Sequence, residues 1–165
     1  MEFSIVVGLA HPPAAVLDAF LDPEFLVATR TLPNIGDAEV LECTRDATRA
    51  RLRVRYRFSA PLNRAVARVV DPEKLTWVDD AAFDLPARRA EHVLEPDHYA
   101  DRLESSYTST VAPTGPGASV WTVAGRLVVR APLVGGRVAG VIVDGLREHA
   151  EARGRLLDAW LGRRD

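Results

Sequence analysis

Cysteine is almost missing: Cys43 is the only one in 165 residues, which excludes an intrachain disulfide and a multi-cysteine metal site and fits a reducing compartment. Lysine is as scarce, with Lys74 alone, so arginine carries the positive charge. A net charge of -2 leaves no excess of bases. That argues against a dedicated nucleic-acid binder, whose affinity comes largely from neutralising phosphates, while leaving room for a local basic patch. No apolar run reaches the roughly 18 to 20 residues that span a bilayer, and the longest near the C-terminus, Val138 to Val143, is interrupted by Gly140. The N-terminus has Glu2 where a signal peptide carries bases, and its apolar stretch breaks at His11-Pro12-Pro13. A cytoplasmic protein without stable membrane insertion is expected. Gly-x-Ser-x-Gly, Gly-x-x-x-x-Gly-Lys and Gly-x-Gly-x-x-Gly are all absent, and no cofactor is expected. His92, Glu95, Asp97 and His98 are metal-capable, but their spacing matches no zinc pattern and reads as a polar hairpin.

What is present describes one globular domain, since 47% hydrophobic and 27% charged residues over this length suffice for a core. Phe3 to Leu9 reads as a strand. Prolines at Pro12, Pro13 and Pro23 then open two short helices, Ala14 to Leu21 and a second from Asp22-Pro23-Glu24 to about Thr29. Period-two alternation marks strands over Ala38 to Thr44, Arg51 to Phe58, Leu75 to Phe83, Arg88 to Leu94, Arg102 to Val111 and Ser119 to Arg130. Short turns separate them, which predicts an antiparallel sheet. Pro61 to Val70 is open between an extended loop and a short helix. From Gly136 to Leu161 the apolar residues share one helical face, including Val138, Ile142, Leu146, Val143, Leu157 and Trp160, with Asp144, Arg147, Glu148, Glu151, Arg155 and Asp158 opposite. Such a helix is about 39 Å long, enough to lie across a sheet of five to seven strands.

This order, with the opening Ala10-His11-Pro12-Pro13-Ala14-Ala15-Val16-Leu17-Asp18-Ala19-Phe20, the following Leu21-Asp22-Pro23-Glu24-Phe25-Leu26, and the ending Pro132-Leu133-Val134-Gly135-Gly136 with Trp160-Leu161, resembles the START-like (SRPBCC, helix-grip) superfamily. Within it the chain is similar to an uncharacterised bacterial branch. The resemblance implies an α+β domain spanning 1-165, in which a curved antiparallel sheet of about six to seven strands wraps around the long C-terminal helix. It implies a cavity for a hydrophobic small molecule, lipid-like or polycyclic. Members of that superfamily bind, carry or transform such ligands, so a carrier, a cyclase- or aromatase-like enzyme on a polyketide-like substrate and a non-catalytic interaction module all stay open.

The residues that break core logic are the candidates for function. His149 and Arg153 lie four apart on the apolar face of the last helix. Either Arg153 reaches an acid such as Asp79 or Asp84, with His149 hydrogen-bonded nearby, or the pair meets a ligand. In the enzymatic reading His149 moves a proton and Arg153 or Tyr107 steadies an enolate. Tyr107 and Tyr56 fall on inward strand faces, as phenolic contacts or ordinary core. Trp77, Trp121, Ile142 and Leu146 would line the same cavity, with core packing the simpler role for the aromatics. Arg51, Arg53, Arg55 and Arg57 form a stripe read as a solvated face, with Glu39, Glu42 and Asp46 adjoining it. Gly135-Gly136 reads as a tight turn into the helix, and Gly136 with Gly140 as a weak small-residue spacing.

Overall fold

Strict alternation builds β1 (Glu2–Leu9): Phe3, Ile5, Val7 and Leu9 are buried while the residues between them face out. The structure, a computed structural model, describes residues 1–68 and 70–164. Two short helices follow, α1 (Pro13–Phe20) and α2 (Pro23–Ala28), each with proline at its start, where a missing N–H costs nothing. Asp22 caps α2 by accepting a 2.9 Å hydrogen bond from the Glu24 amide. After a single 3-10 turn come β2 (Ile35–Arg45) and β3 (Arg49–Phe58). The stretch left open by the sequence contains a four-residue helix, α3 (Arg64–Ala67), capped by Asn63, while Val69 lies outside the described residues. The meander β4 (Thr76–Asp84), β5 (Arg89–Pro96), β6 (Leu103–Gly115) and β7 (Ala118–Val129) leads into α4 (Gly135–Gly162).

All pairings are antiparallel, in the order β1-β7-β6-β5-β4-β3-β2. The predicted elements are therefore all present, and the sheet has seven strands. Its outer face carries the arginine stripe. Arg51 pairs with Asp80 at 2.6 Å, Arg53 with Asp80 at 3.3 Å and Glu95 at 3.1 Å, and Arg55 with Asp97 at 3.2 Å. These partners come from β4, β5 and the residue after β5. Asp46 instead closes the β2–β3 turn by accepting from the Thr48 and Arg49 amides.

The inner face receives α4, whose Val138, Ala139, Val143, Ala150 and Leu157 are buried. Helix and sheet pack tightly at Gly154, where a Cβ would sit 2.5 Å from Val7 Cγ1. Beneath the C-terminal half of α4 lie the two short helices: Phe25 meets Trp160 edge-on at 5.9 Å and Phe20 meets Trp121 at 5.0 Å. Asp158, placed on the polar face by the helical wheel, instead accepts from the Ala10 amide at 3.0 Å and ties the helix to the end of β1. The expected Gly-Gly turn is built differently. The left-handed residue ahead of α4 is Leu133 (φ 66°), Gly135 is needed because a Cβ would meet the Val129 carbonyl oxygen at 2.5 Å, and Gly136 faces open space.

Candidate functional site

Three neighbouring strands carry polar groups into the apolar interior. On β4 the inward series Trp77, Asp79, Ala81, Phe83 is interrupted by an acid. On β5 it is interrupted by His92, and on β6 by Tyr107 and Ser109. The register sets Ala81 opposite His92, His92 opposite Tyr107 and Ala90 opposite Ser109, so the four polar side chains converge.

They form one hydrogen-bonded chain. His92 Nδ1 lies 3.1 Å from Asp79 Oδ1, the Tyr107 hydroxyl donates to Asp79 Oδ2 at 2.8 Å, and His92 Nε2 lies 2.9 Å from Ser109 Oγ. A carboxylate only accepts, so Asp79 fixes the proton of a neutral His92 on Nδ1, and Nε2 is left to accept from the Ser109 hydroxyl. The imidazole is also clamped: it stacks on Tyr107 at 4.3 Å and 13° and meets Phe83 edge-on at 6.2 Å. Burial, then the Asp79 charge and the hydrogen bond to it, push the Tyr107 phenol well above its ordinary range, which keeps it a donor.

A cavity of about 20 Å³ opens beside this chain, room for about one water molecule. Asp79, His92, Ser109, Tyr56, Trp121 and Arg153 line it, together with the apolar side chains of Phe20, Leu52, Val54, Ala81 and Phe83. A larger concavity, by the β2–β3 turn, is an open surface groove whose arginines Arg45, Arg49 and Arg51 are each already paired with an aspartate.

Arg153 is the cation of the interior. Its guanidinium carbon lies 4.8 Å from the Phe20 ring centre and 5.7 Å from that of Trp121, a cation–π arrangement, and its Nε is buried without a hydrogen-bond partner. The internal salt bridge offered by the sequence is not made. Asp79 is held by His92 and Tyr107, Asp84 pairs with Arg49 at 3.4 Å, and among the described residues no carboxylate pairs with Arg153. Tyr56, buried on the same wall, has its phenol pushed up by burial, opposed by the Arg153 charge.

The other sequence candidates sit elsewhere. Tyr107 serves the Asp79 chain rather than the cavity wall, and Trp77 packs on Tyr56 at 5.8 Å. Ile142 and Leu146 are partly buried core contacts. His149 is not on the cavity: its Nδ1 is buried without a partner and the Pro33 carbonyl lies against the ring. Burial and the nearby Arg153 charge push its pKa down to about 4, so it is neutral at neutral pH. His92, read from the sequence as part of a polar hairpin, points inward, whereas Glu95 and Asp97 pair with arginines on the outer face. Among the described residues no cluster of three or more metal-capable side chains forms, and no helix is long and apolar enough to cross a membrane.

The family described as "Protein of unknown function (DUF2505)" matches residues 4–161, nearly the whole chain. The chain belongs to the DUF2505 family. Its fold is START-like, shared with solved structures of low sequence identity. The Thermus thermophilus protein TTHA0849 is 18% identical, with a TM-score of 0.68 over 96% of this chain and 95% of that one. The Zhui aromatase/cyclase of Streptomyces sp. R1128 is 14% identical, with a TM-score of 0.68 over 99% and 94%. A START superfamily protein from Mycobacterium smegmatis is 19% identical, with a TM-score of 0.55 over 94% and 98%. Among curated proteins none matches.

Proposed function

We propose that this DUF2505 protein binds a hydrophobic small molecule bearing an anionic or strongly polarised oxygen, held between the inner sheet face and α4. The observation that carries this reading is Arg153: a cation set among Phe20, Trp121 and Phe25 on a cavity wall, without a carboxylate partner. A partly buried charge without an ionic partner is unfavourable, and a ligand oxygen would offset that cost while the aromatic rings take the apolar body. Tyr56 adds a phenolic donor on the same wall. The fold relatives support the reading, since their scaffold places a sheet against a long helix in the same way.

The cavity is far smaller than the several hundred Å³ of a usual ligand pocket. Binding therefore requires expansion, with α4 and the aromatic side chains moving apart. A filled interior is also what an interaction module would have, and one titration separates the two. A fluorescent fatty acid should bind saturably, its methyl ester more weakly, and Arg153→Met should lose about 10- to 100-fold in affinity for the acid, the worth of a hydrogen bond to a charged group. The same variant should keep or raise the melting temperature, because it removes a partly buried charge that has no ionic partner. Absence of saturable binding in the wild type would favour the interaction module.

A further inference from the structure

The geometry points to an activity: we infer that Ser109, His92 and Asp79 form a nucleophile, base and orienting-carboxylate set able to cleave esters of apolar acids by way of an acyl-serine. The inference rests on the cavity reading only for where the substrate lies. Its own warrant is the hydrogen-bond order. Ser109 Oγ to His92 Nε2 is 2.9 Å and His92 Nδ1 to Asp79 Oδ1 is 3.1 Å, the connectivity that activates a serine on unrelated folds. The tautomer is the productive one, because Asp79 holds the proton on Nδ1 and Nε2 is free to take one from serine. Tyr107 reinforces this as a positioning residue by holding the second carboxylate oxygen and stacking under the imidazole.

The set is also placed where a substrate could meet it. Ser109, His92 and Asp79 line the same cavity as Arg153 and Tyr56, which supply a cation and a donor for an oxyanion. A purely structural polar chain in a sheet has no need of an unpaired guanidinium on its open side. In the first step the Ser109 oxygen bonds to the ester carbonyl carbon while its proton passes to His92 Nε2. The carbon–oxygen bond to the leaving alcohol then breaks, and His92 returns the proton to that oxygen. Water adds to the acyl-serine, giving its proton to His92. The Ser109 oxygen departs with that proton, and the products are a carboxylic acid and an alcohol.

The test is covalent capture, which does not depend on knowing the natural ester. Diisopropyl fluorophosphate should transfer one phosphoryl group to each chain with loss of fluoride, and peptide mapping should place it on Ser109. Ser109→Ala should abolish the adduct. His92→Gln should slow its formation by about 100-fold or more, the scale of a lost general base, and Asp79→Asn should slow it as well, with thermal melting confirming that each variant is folded. With 4-nitrophenyl butyrate the wild type should release a burst of 4-nitrophenolate equal to the chain concentration. No adduct on Ser109 in the folded wild type, or equal labelling in folded His92→Gln, would overturn the inference. If a fluorescent fatty acid still binds saturably to such unlabelled protein, the failure belongs to the catalytic set and not to the cavity reading.

Discussion

His149 shows how burial converts a candidate switch into a stability element. Its pKa is lowered from the ordinary 6.5 to about 4, so the folded state binds fewer protons than the unfolded chain between those values. The stability it contributes is complete above 6.5 and is lost as pH falls toward 4. At about pH 4.5 the loss should be on the order of 2 to 3 kcal/mol relative to neutral pH. Denaturant unfolding of His149→Gln should show a correspondingly shallower pH dependence over that window, and equal slopes in the two proteins would refute the assignment. At this scale the sequence was only partly legible. Helical spacing put Arg153 on the inner face and strand alternation did the same for Tyr56, and both line the cavity together with Trp121, which the sequence offered as an aromatic lining residue. Asp79 was read only as a possible partner of Arg153, His92 only as part of a polar hairpin and Ser109 not at all, because the three stand on three different strands. Their signal was there in the alternation, which continues the inward faces of Phe83, Ala90 and Val111 onto them, but their meeting depends on a cross-strand register that no single strand reveals.

Elements were read more securely, because hydrophobic period and proline position are local. The seven strands, two early helices and long last helix stand within a few residues of their expected bounds. What local pattern did not show was which glycine of α4 matters. Gly135-Gly136 drew attention as a pair, and Gly135 does meet the sheet, but an equally tight approach lies mid-helix at Gly154, where an added Cβ would meet Val7 Cγ1 at 2.5 Å and Leu9 Cδ2 at 3.4 Å. Gly145, in the same helix, would place a Cβ no nearer than 3.9 Å to Asn34 Nδ2. The same substitution should therefore have opposite signs. Gly145→Ala should gain up to about 1 kcal/mol from helix propensity, whereas Gly154→Ala should lose about 1 kcal/mol net, as overpacking outweighs that gain. Paired melting curves check this, at roughly 2 to 4 °C per kcal/mol for a domain of this size, and a rise in both variants would show that the seam has slack.

Across the whole molecule the two sheet faces divide the labour, the inner one holding the polar chain and the outer one the arginine stripe. Because the outer pairs are partly open to solvent, charge neutralisation in Arg53→Gln with Arg55→Gln should cost no more than about 1 kcal/mol per pair, and fatty-acid binding should not change. A large drop in melting temperature would mean that the Arg53, Asp80 and Glu95 cluster acts as more than a solvated network. The open sheet also leaves β1 and β2 each paired on one side only. Those two margins are unlike. Along β2 the pairing slips between Ile35 and Asp37 and again between Val40 and Glu42, and acids at Asp37, Glu39 and Glu42 crowd the strand. Such a margin is a poor template for another chain. Along β1 the pairing runs unbroken from Glu2 to Leu9, with Val6 largely exposed. Cross-chain strand addition, the first step toward aggregation in a crowded or partly unfolded population, is thereby directed to the β1 margin.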